Sequence, residues 1–413
     1  MHAAFVLPRF FPYRGGYENS ILALSKHLVS RGHQVTVFTT VANDLEAFWL
    51  PGFRTFPEGK EGVEGITIVR FPICYRRWRR RAGRLLGYLP DWRLQAQFRR
   101  PSFRVVGLDR ALGNVDADIL HIGPLPYTGL MYSGFRAARA RGIPVVATPC
   151  THLGEEDSAE VGQHYLQPFQ MTLLRHCDLV MCMTETELRS LEQRGVDSPK
   201  QVLPHGYDLD TATGGDPQYL RQRYNVNGPV VLHLGTKAFD KGSVTLLEAM
   251  RRLWQRGSTA WLVMAGPSLS AFEAQIAPIA KECPRLLNLP SFADAEKRDL
   301  LASATLVAQP SRVESLGHVL MEAWANATPV VAADIAVSRE LVTRSNGGVL
   351  TSFGDADRLA QALAELLANA EMRQAMGAAG RTLALQYTGA QLWPRIAEAM
   401  EALAGAASAG RSA

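Results

Sequence analysis

Two α/β/α domains, each built on a parallel sheet, are the fold class that this sequence predicts. Three observations carry the prediction. A chain of 413 residues can fill two domains with complete cores. Its first 40 positions read strand, Gly-rich turn, helix, strand, the order that gives parallel neighbours. Residues 306–332 repeat that order as strand, loop, helix and strand.

Residues 3–7 are an unbroken apolar run and read as a buried strand. A loop carrying Gly15-Gly16 follows. Residues 17–30 place Ile21, Leu22, Leu24, Leu28 and Val29 on one side of a helix, which Gly32 caps. Residues 34–39 are the second strand, and residues 41–65 read as loop-rich. Further short strands are expected at 66–71, 119–122, 145–148 and 179–183, with helices between. Residues 211–216 (Thr-Ala-Thr-Gly-Gly-Asp) are small and polar, as a linker is. A second set of strands follows at 230–234, 261–265, 286–289, 306–308, 329–332 and 348–351. Helices fill 243–255 and 355–404, the last of them at 389–404, and the small polar tail beyond is expected to be disordered.

Composition is that of an ordinary soluble globular protein. No apolar run approaches the roughly 18 residues that span a bilayer. The chain opens straight into a strand without a cationic leader region. Five cysteines (74, 150, 177, 182 and 283) show no zinc-ribbon or Cys-x-x-Cys spacing. Reduced thiols and a cytoplasmic location are expected, and the Cys150/His152 and His176/Cys177 pairs read as strand-end packing, not a metal site. The net charge of +5 is uneven: residues 76–110 hold eleven arginines against Asp91 and Asp109, which is +9 and leaves −4 elsewhere. One basic patch on a near-neutral body points to a local anionic partner and away from nucleic acid. Residues 75–88 interleave arginines with Trp78, Leu85 and Leu86. This is the pattern of a segment resting in an anionic membrane interface; a solvated basic surface is the other reading.

The chemistry concentrates in residues 310–334. Glu314 lies in the loop and Glu322 in the helix. Eight positions span up to about 12 Å of helix, whereas an acid/base carboxylate pair sits about 5–9.5 Å apart. The two are read as gripping two parts of one elongated ligand. Between them, Leu316 and Gly317 stand at a helix N-terminus, where amides and the helix dipole attract phosphate. Carboxylates for sugar hydroxyls beside amides for phosphate suggest a nucleotide sugar. On spacing alone, ordinary helix-start and helix-surface acids are an equal alternative. Gly15-Gly16 lacks the Gly-x-Gly-x-x-Gly of dinucleotide binders; it reads as a turn presenting N–H groups to phosphate or sugar, or as a plain loop pair. His152 follows a strand end, the ligand side of an open parallel sheet. Lys237 and Lys241 follow strand 230–234 and lie close to the start of helix 243–255, where they form a cationic cradle for phosphate.

The stretch from Pro310 to Asp334 resembles the signature of the retaining glycosyltransferases of family GT4. Two glutamates frame a Gly-containing turn, followed by a Glu-Ala helix and a Pro-Val-Val strand. Here these are Glu314, Gly317, Glu322-Ala323 and Pro329-Val330-Val331. Gly15-Gly16-Tyr17-Glu18 and Arg31-Gly32-His33-Gln34-Val35-Thr36-Val37 are similar to the family's opening. Residues 202–208 resemble its domain crossover, with His205 where Asn is usual. Lys241-Gly242 matches its Lys-Gly, but Thr236, followed by Lys237, stands where an Arg is usual; Lys237 either substitutes or one cation is missing. Asn326 and Ala327 stand where Gly is frequent, with Asn326 expected in the left-handed conformation.

The resemblance implies the GT-B fold: two Rossmann-like α/β/α domains facing each other across a cleft, with a C-terminal helix crossing back to the N-terminal domain. It implies an acceptor-binding domain at 1–207, a donor-binding domain at 218–387 and the returning helix at 388–405. It makes His152, Lys241 and Glu314 the catalytic residues, with His152 and Glu314 at the donor sugar and Lys241 on the leaving diphosphate. It places Gly15, Gly16, Thr236, Lys237, Leu316, Gly317 and Glu322 on the donor, with Glu322 at the ribose. The implied reaction moves a sugar from a nucleoside-diphosphate donor to an acceptor hydroxyl with retention, without metal or cofactor. A lipid-linked acceptor at the inner face of a membrane is one option. The Asp-x-Asp pairs Asp116/Asp118, Asp208/Asp210 and Asp355/Asp357 are read as chance. A phosphorylase, an epimerase or a non-catalytic sugar-nucleotide-binding subunit are the alternatives.

Overall fold

The computed structural model describes all residues except 14, 76–82, 100–102, 155–163, 269 and 413. The chain divides into two compact units. One contains Met1–His152, Ala159–Gly206 and Ala390–Ala413; the other contains Leu153–Ser158 and Tyr207–Gly389.

Among the described residues, the first unit is built on eight strands: β1 (His2–Val6), β2 (Gln34–Thr40), β3 (Gly59–Val63), β4 (Ile66–Phe71), β5 (Ile119–Ile122), β6 (Val145–Ala147), β7 (Leu179–Cys182) and β8 (Lys200–Val202). Their order is β3-β4-β2-β1-β5-β6-β7-β8. Only the β3–β4 pair is antiparallel. Successive side chains of a strand face opposite ways, and β1 shows this directly. Ala3 and Phe5 enter a core with Ile21, Leu24 and Leu28 of helix Gly16–Ser30. Ala4 and Val6 enter the opposite core with Leu112, Met131 and Phe135. Both faces are covered, which is why the strands are apolar throughout and not alternating.

Helix Gly389–Ser412 closes the Ala3/Phe5 core. Its Ile396, Ala397, Met400 and Ala404 are buried there, and Trp393 Nε1–H donates to the His205 carbonyl at 2.8 Å. Glu401 accepts from Arg31 at 2.9 Å and pairs with His33 at 2.7 Å. The tail expected to be disordered after 404 is helical as far as Ser412. Alanine has the strongest helix propensity, and here it outweighs the small polar residues among it.

The second unit carries β9 (Val230–Leu234), β10 (Trp261–Ala265), β11 (Leu286–Leu289), β12 (Leu306–Gln309), β13 (Val330–Ala333) and β14 (Gly348–Thr351). Their order is β11-β10-β9-β12-β13-β14, and every pair is parallel. From β9 the chain winds outward through β10 and β11, then returns to the other side of β9 as β12. The winding therefore reverses between β9 and β12, and in the first unit between β1 and β5. Ligands of open parallel sheets bind outside the carboxyl ends of the strands at such reversals. Among the described residues, no helix is long and apolar enough to cross a membrane.

Two strands escaped the sequence reading. β3, Gly-Lys-Glu-Gly-Val, is mostly exposed, so it has no apolar alternation to betray it. β8 is three residues at a sheet edge.

Candidate active site

In the second unit, the loops leaving β9 and β12 are pressed together. Gly242 has φ +68, and a Cβ there would stand 2.0 Å from the Pro310 carbonyl oxygen, so no other residue fits. The Arg312 amide donates to the Asp240 carbonyl at 2.8 Å. Beneath them His233, buried on β9, ties the parts together. Its Nδ1–H donates to the Ala308 carbonyl of β12 at 3.0 Å, and its Nε2 accepts from the Ser243 hydroxyl at 3.0 Å. Burial pushes the imidazole down to about 4, so it is neutral. This brace had no signal in the sequence beyond a histidine inside an apolar strand.

The outcome is a pairing of the two predicted residues: Lys241 Nζ donates to Glu314 Oε1 at 2.7 Å. Lys241 lies in the loop after β9 and Glu314 in the loop after β12, on either side of the winding reversal. Glu314 also forms a two-way backbone bridge with Leu153 of the same unit, at 3.0 and 3.3 Å. Leu316 is fully buried, so only its backbone can meet a ligand. Gly317 follows at φ +78 and ψ 56, a left-handed turn that glycine adopts without strain. No side chain caps the helix His318–Ala325 that starts there. One turn in, Glu322 is 9% exposed, and its Oε1 accepts from Lys297 Nζ at 2.8 Å. Lys297 stands on helix Asp294–Ala302, in the segment 290–298 that resembles the family's nucleobase-pocket lining.

Lys237 is placed elsewhere. It is fully buried, and its ammonium donates to Asn288 Oδ1 at 2.5 Å and to the Leu289 carbonyl at 3.0 Å. It is committed to β11, while Thr236 beside it is half-buried. The left-handed residue after the helix is Ala327, at φ +54, and not Asn326, at φ −87. The reason is visible: the Asn326 amide donates to the carbonyls of Ala212 and Glu322, at 2.8 and 2.9 Å, which fixes it in the helix's last turn.

In the first unit, Gly15 precedes helix Gly16–Ser30 at the carboxyl end of β1. A Cβ at Gly15 would stand 2.2 Å from Glu18 Oε2 and 2.9 Å from Tyr13 Cε1. Glu18 is buried, 3.5 Å from Arg9, whose guanidinium lies 3.7 Å over the Tyr13 ring. Burial raises the Glu18 carboxyl above its ordinary range, and Arg9 opposes that rise. His152 follows β6. Its Nδ1–H donates to the Cys150 carbonyl at 3.0 Å, and its ring stacks on Tyr165 with centroids 5.0 Å apart.

One aspartate of each Asp-x-Asp pair has local structural work. Asp118 accepts from the His2 amide, Asp208 from the Asp210 amide and Asp355 from the Arg358 amide. The five cysteines are unpaired with one another. Of the segment expected at a membrane, residues 76–82 lie outside the described residues; beyond them Leu85 and Tyr88 are 73% and 77% exposed.

Comparison with known proteins identifies the family and the fold. The family profile for group 1 glycosyl transferases matches residues 220–383, and that of the glycosyl transferase 4-like domain matches residues 15–206. The chain is 25% identical over 411 residues to the phosphatidyl-myo-inositol mannosyltransferase of Mycobacterium leprae, covering 98% of this chain and 97% of that one. It is 27% identical over 404 residues to the D-inositol 3-phosphate glycosyltransferase of Xylanimonas cellulosilytica, covering 94% and 90%. Among solved structures it superposes on the sucrose-phosphate synthase of Thermosynechococcus elongatus with a TM-score of 0.75 at 18% identity, over 98% and 99% of the two chains. Matched over both units, this chain is a group 1 glycosyltransferase of family GT4, with the GT-B fold.

Proposed function

We propose that the enzyme transfers a sugar, with retention, from a nucleoside-diphosphate donor to the hydroxyl of a polyol or lipid-linked acceptor. The observation that carries this is the Lys241–Glu314 pair at 2.7 Å, raised by two touching loops at the winding reversal of the second sheet. A lysine with three donors can keep a carboxylate and take a phosphate oxygen as well. On donor binding, Lys241 and the amides from Gly317 onward take the diphosphate, Glu322 takes the ribose hydroxyls, and Glu314 and His152 hold hydroxyls of the sugar. The bond at the anomeric carbon then breaks through an oxocarbenium-like state. Negative charge grows on the leaving phosphate, where preorganised cations and amides count most. The acceptor attacks from the leaving-group side and gives its proton to a phosphate oxygen. No step requires a metal.

With Thr236 in place of an arginine and Lys237 buried, Lys241 is the principal cation of the second unit for the diphosphate. An inositol-type acceptor is supported by the names of both sequence relatives. Contact with an anionic membrane through residues 75–88 is supported by the arginines and by exposed Leu85, Leu86 and Tyr88. Two experiments test the reading. Purified protein is incubated with UDP-glucose, GDP-mannose and ADP-glucose, each with water, inositol 1-phosphate or inorganic phosphate as acceptor. Transfer to the polyol or slow donor hydrolysis is expected; turnover only with inorganic phosphate would make the enzyme a phosphorylase. In sedimentation with vesicles, binding to phosphatidylglycerol and not to phosphatidylcholine is expected, weakened by L85S/L86S; equal binding to both lipids would contradict the membrane contact.

A further inference from the structure

Helix Glu185–Gln193 opens with Thr184-Glu185-Thr186-Glu187, the spelling of a capping box. Thr184 plays its part: its hydroxyl accepts from the Glu187 amide at 3.0 Å. The Glu187 carboxylate is sent elsewhere. Oε1 accepts from the Thr151 amide at 2.5 Å and Oε2 from the Met183 amide at 2.6 Å. Thr151 follows β6 and Met183 follows β7, so one fully buried carboxylate ties the carboxyl ends of two neighbouring strands.

Burying a carboxylate is unfavourable unless its hydrogen bonds are needed, and an apolar side chain could fill the same volume. What the carboxylate holds is the turn from Pro149 to His152. Cys150 sits there at φ +47, a strained conformation for a residue with a Cβ, and such strain persists only where neighbours over-determine it. The Cys150 carbonyl and the Thr151 N–H belong to one planar peptide group. Glu187 grips its N–H; its carbonyl accepts the Nδ1–H of His152 at 3.0 Å. Glu187 therefore orients the peptide that orients the imidazole. With Nδ1 protonated, Nε2 of the neutral ring is an acceptor, the form that takes a hydrogen bond from a sugar hydroxyl.

We infer that Glu187 is a positioning residue for His152, acting through the Cys150–Thr151 peptide to fix the ring's tautomer and direction. The functional part of this inference rests on His152 touching the donor sugar. The test uses the full chain with 15N-labelled histidine at pH 8, where Glu187 is a carboxylate, the wild type beside Glu187→Gln, which keeps the volume but replaces one acceptor oxygen with a donor. The His152 ring of the wild type is expected in the Nδ1-protonated tautomer. In a Glu187→Gln protein with an otherwise native amide spectrum, it is expected to populate both tautomers. An unchanged His152 ring in that protein would overturn the inference. Should Glu187→Gln not fold, Glu187→Asp, one methylene too short to reach both amides, takes its place with the same expectation.

Donor turnover separates the two layers. Glu187→Gln is expected to slow it about 10- to 100-fold, and Glu187→Gln/His152→Ala to equal His152→Ala alone. Independent, multiplying losses would reduce Glu187 to a structural role and overturn the inference. If Glu187→Gln disturbs the ring while His152→Ala turns over like the wild type, positioning stands and it is the sugar contact of His152 that falls.

Discussion

Glu187, His233 and Lys237 are three ionisable groups withdrawn from water, each compensated differently. His233 stays neutral between a carbonyl and a hydroxyl. Lys237 keeps two oxygen partners, while burial lowers its pKa. Glu187 keeps two amide donors, yet desolvation still pushes its carboxyl up to about 7. Its folded pKa thus lies above its ordinary value of 4.5, so the native state holds a proton that the unfolded chain releases. The contribution of this group to stability is then largest below about pH 4.5 and is lost as pH rises through about 7, by roughly 3 kcal/mol for a shift of this size. Urea denaturation at pH 5 and pH 8 should show this fall, and Glu187→Gln should lack it. The pairing of Glu322 with Lys297 shows where reading by residue stops. The glutamate stands in a recognisable motif, but its partner is set by how two helices pack, which spacing along the chain does not record.

Among the elements, the helix end at Ala327 offers the sharpest test. An L-residue held left-handed costs roughly 1–2 kcal/mol, and glycine there trades that strain for about 0.5–1 kcal/mol of extra chain entropy. Ala327→Gly should therefore raise stability by about 0.5–1 kcal/mol in thermal or urea unfolding; a loss would mean that the alanine methyl packs usefully. The sequence marked this turn but named the wrong residue, because Asn is the better left-handed former by propensity and tertiary bonds to Ala212 and Glu322 override it. Apolar strands such as β1, β9 and β13 were legible because both faces are buried. Exposed β3 and the alanine-rich end of the last helix were not, since one lacks an apolar pattern and the other combines small residues with high helix propensity.

For the whole molecule, the first unit is completed by chain from the far end of the sequence. Met400 is fully buried against Phe5 and its neighbours, and Met400→Ala should cost about 2–5 kcal/mol, read as a lower urea midpoint. That 24-residue helix was expected at its place, but which residues it buries became plain only with the sheet beneath it. In the second unit, strand order decides which residues share the reversal between β9 and β12; spacing alone left Glu314 and Glu322 open to being surface acids. The most direct test of a diphosphate held at that reversal is the turnover of Lys241→Ala with the donor the wild type uses. A fall of about 100- to 1,000-fold, equivalent to about 3–4 kcal/mol of lost transition-state stabilisation, is expected with the fold intact. Turnover at the wild-type rate would contradict it.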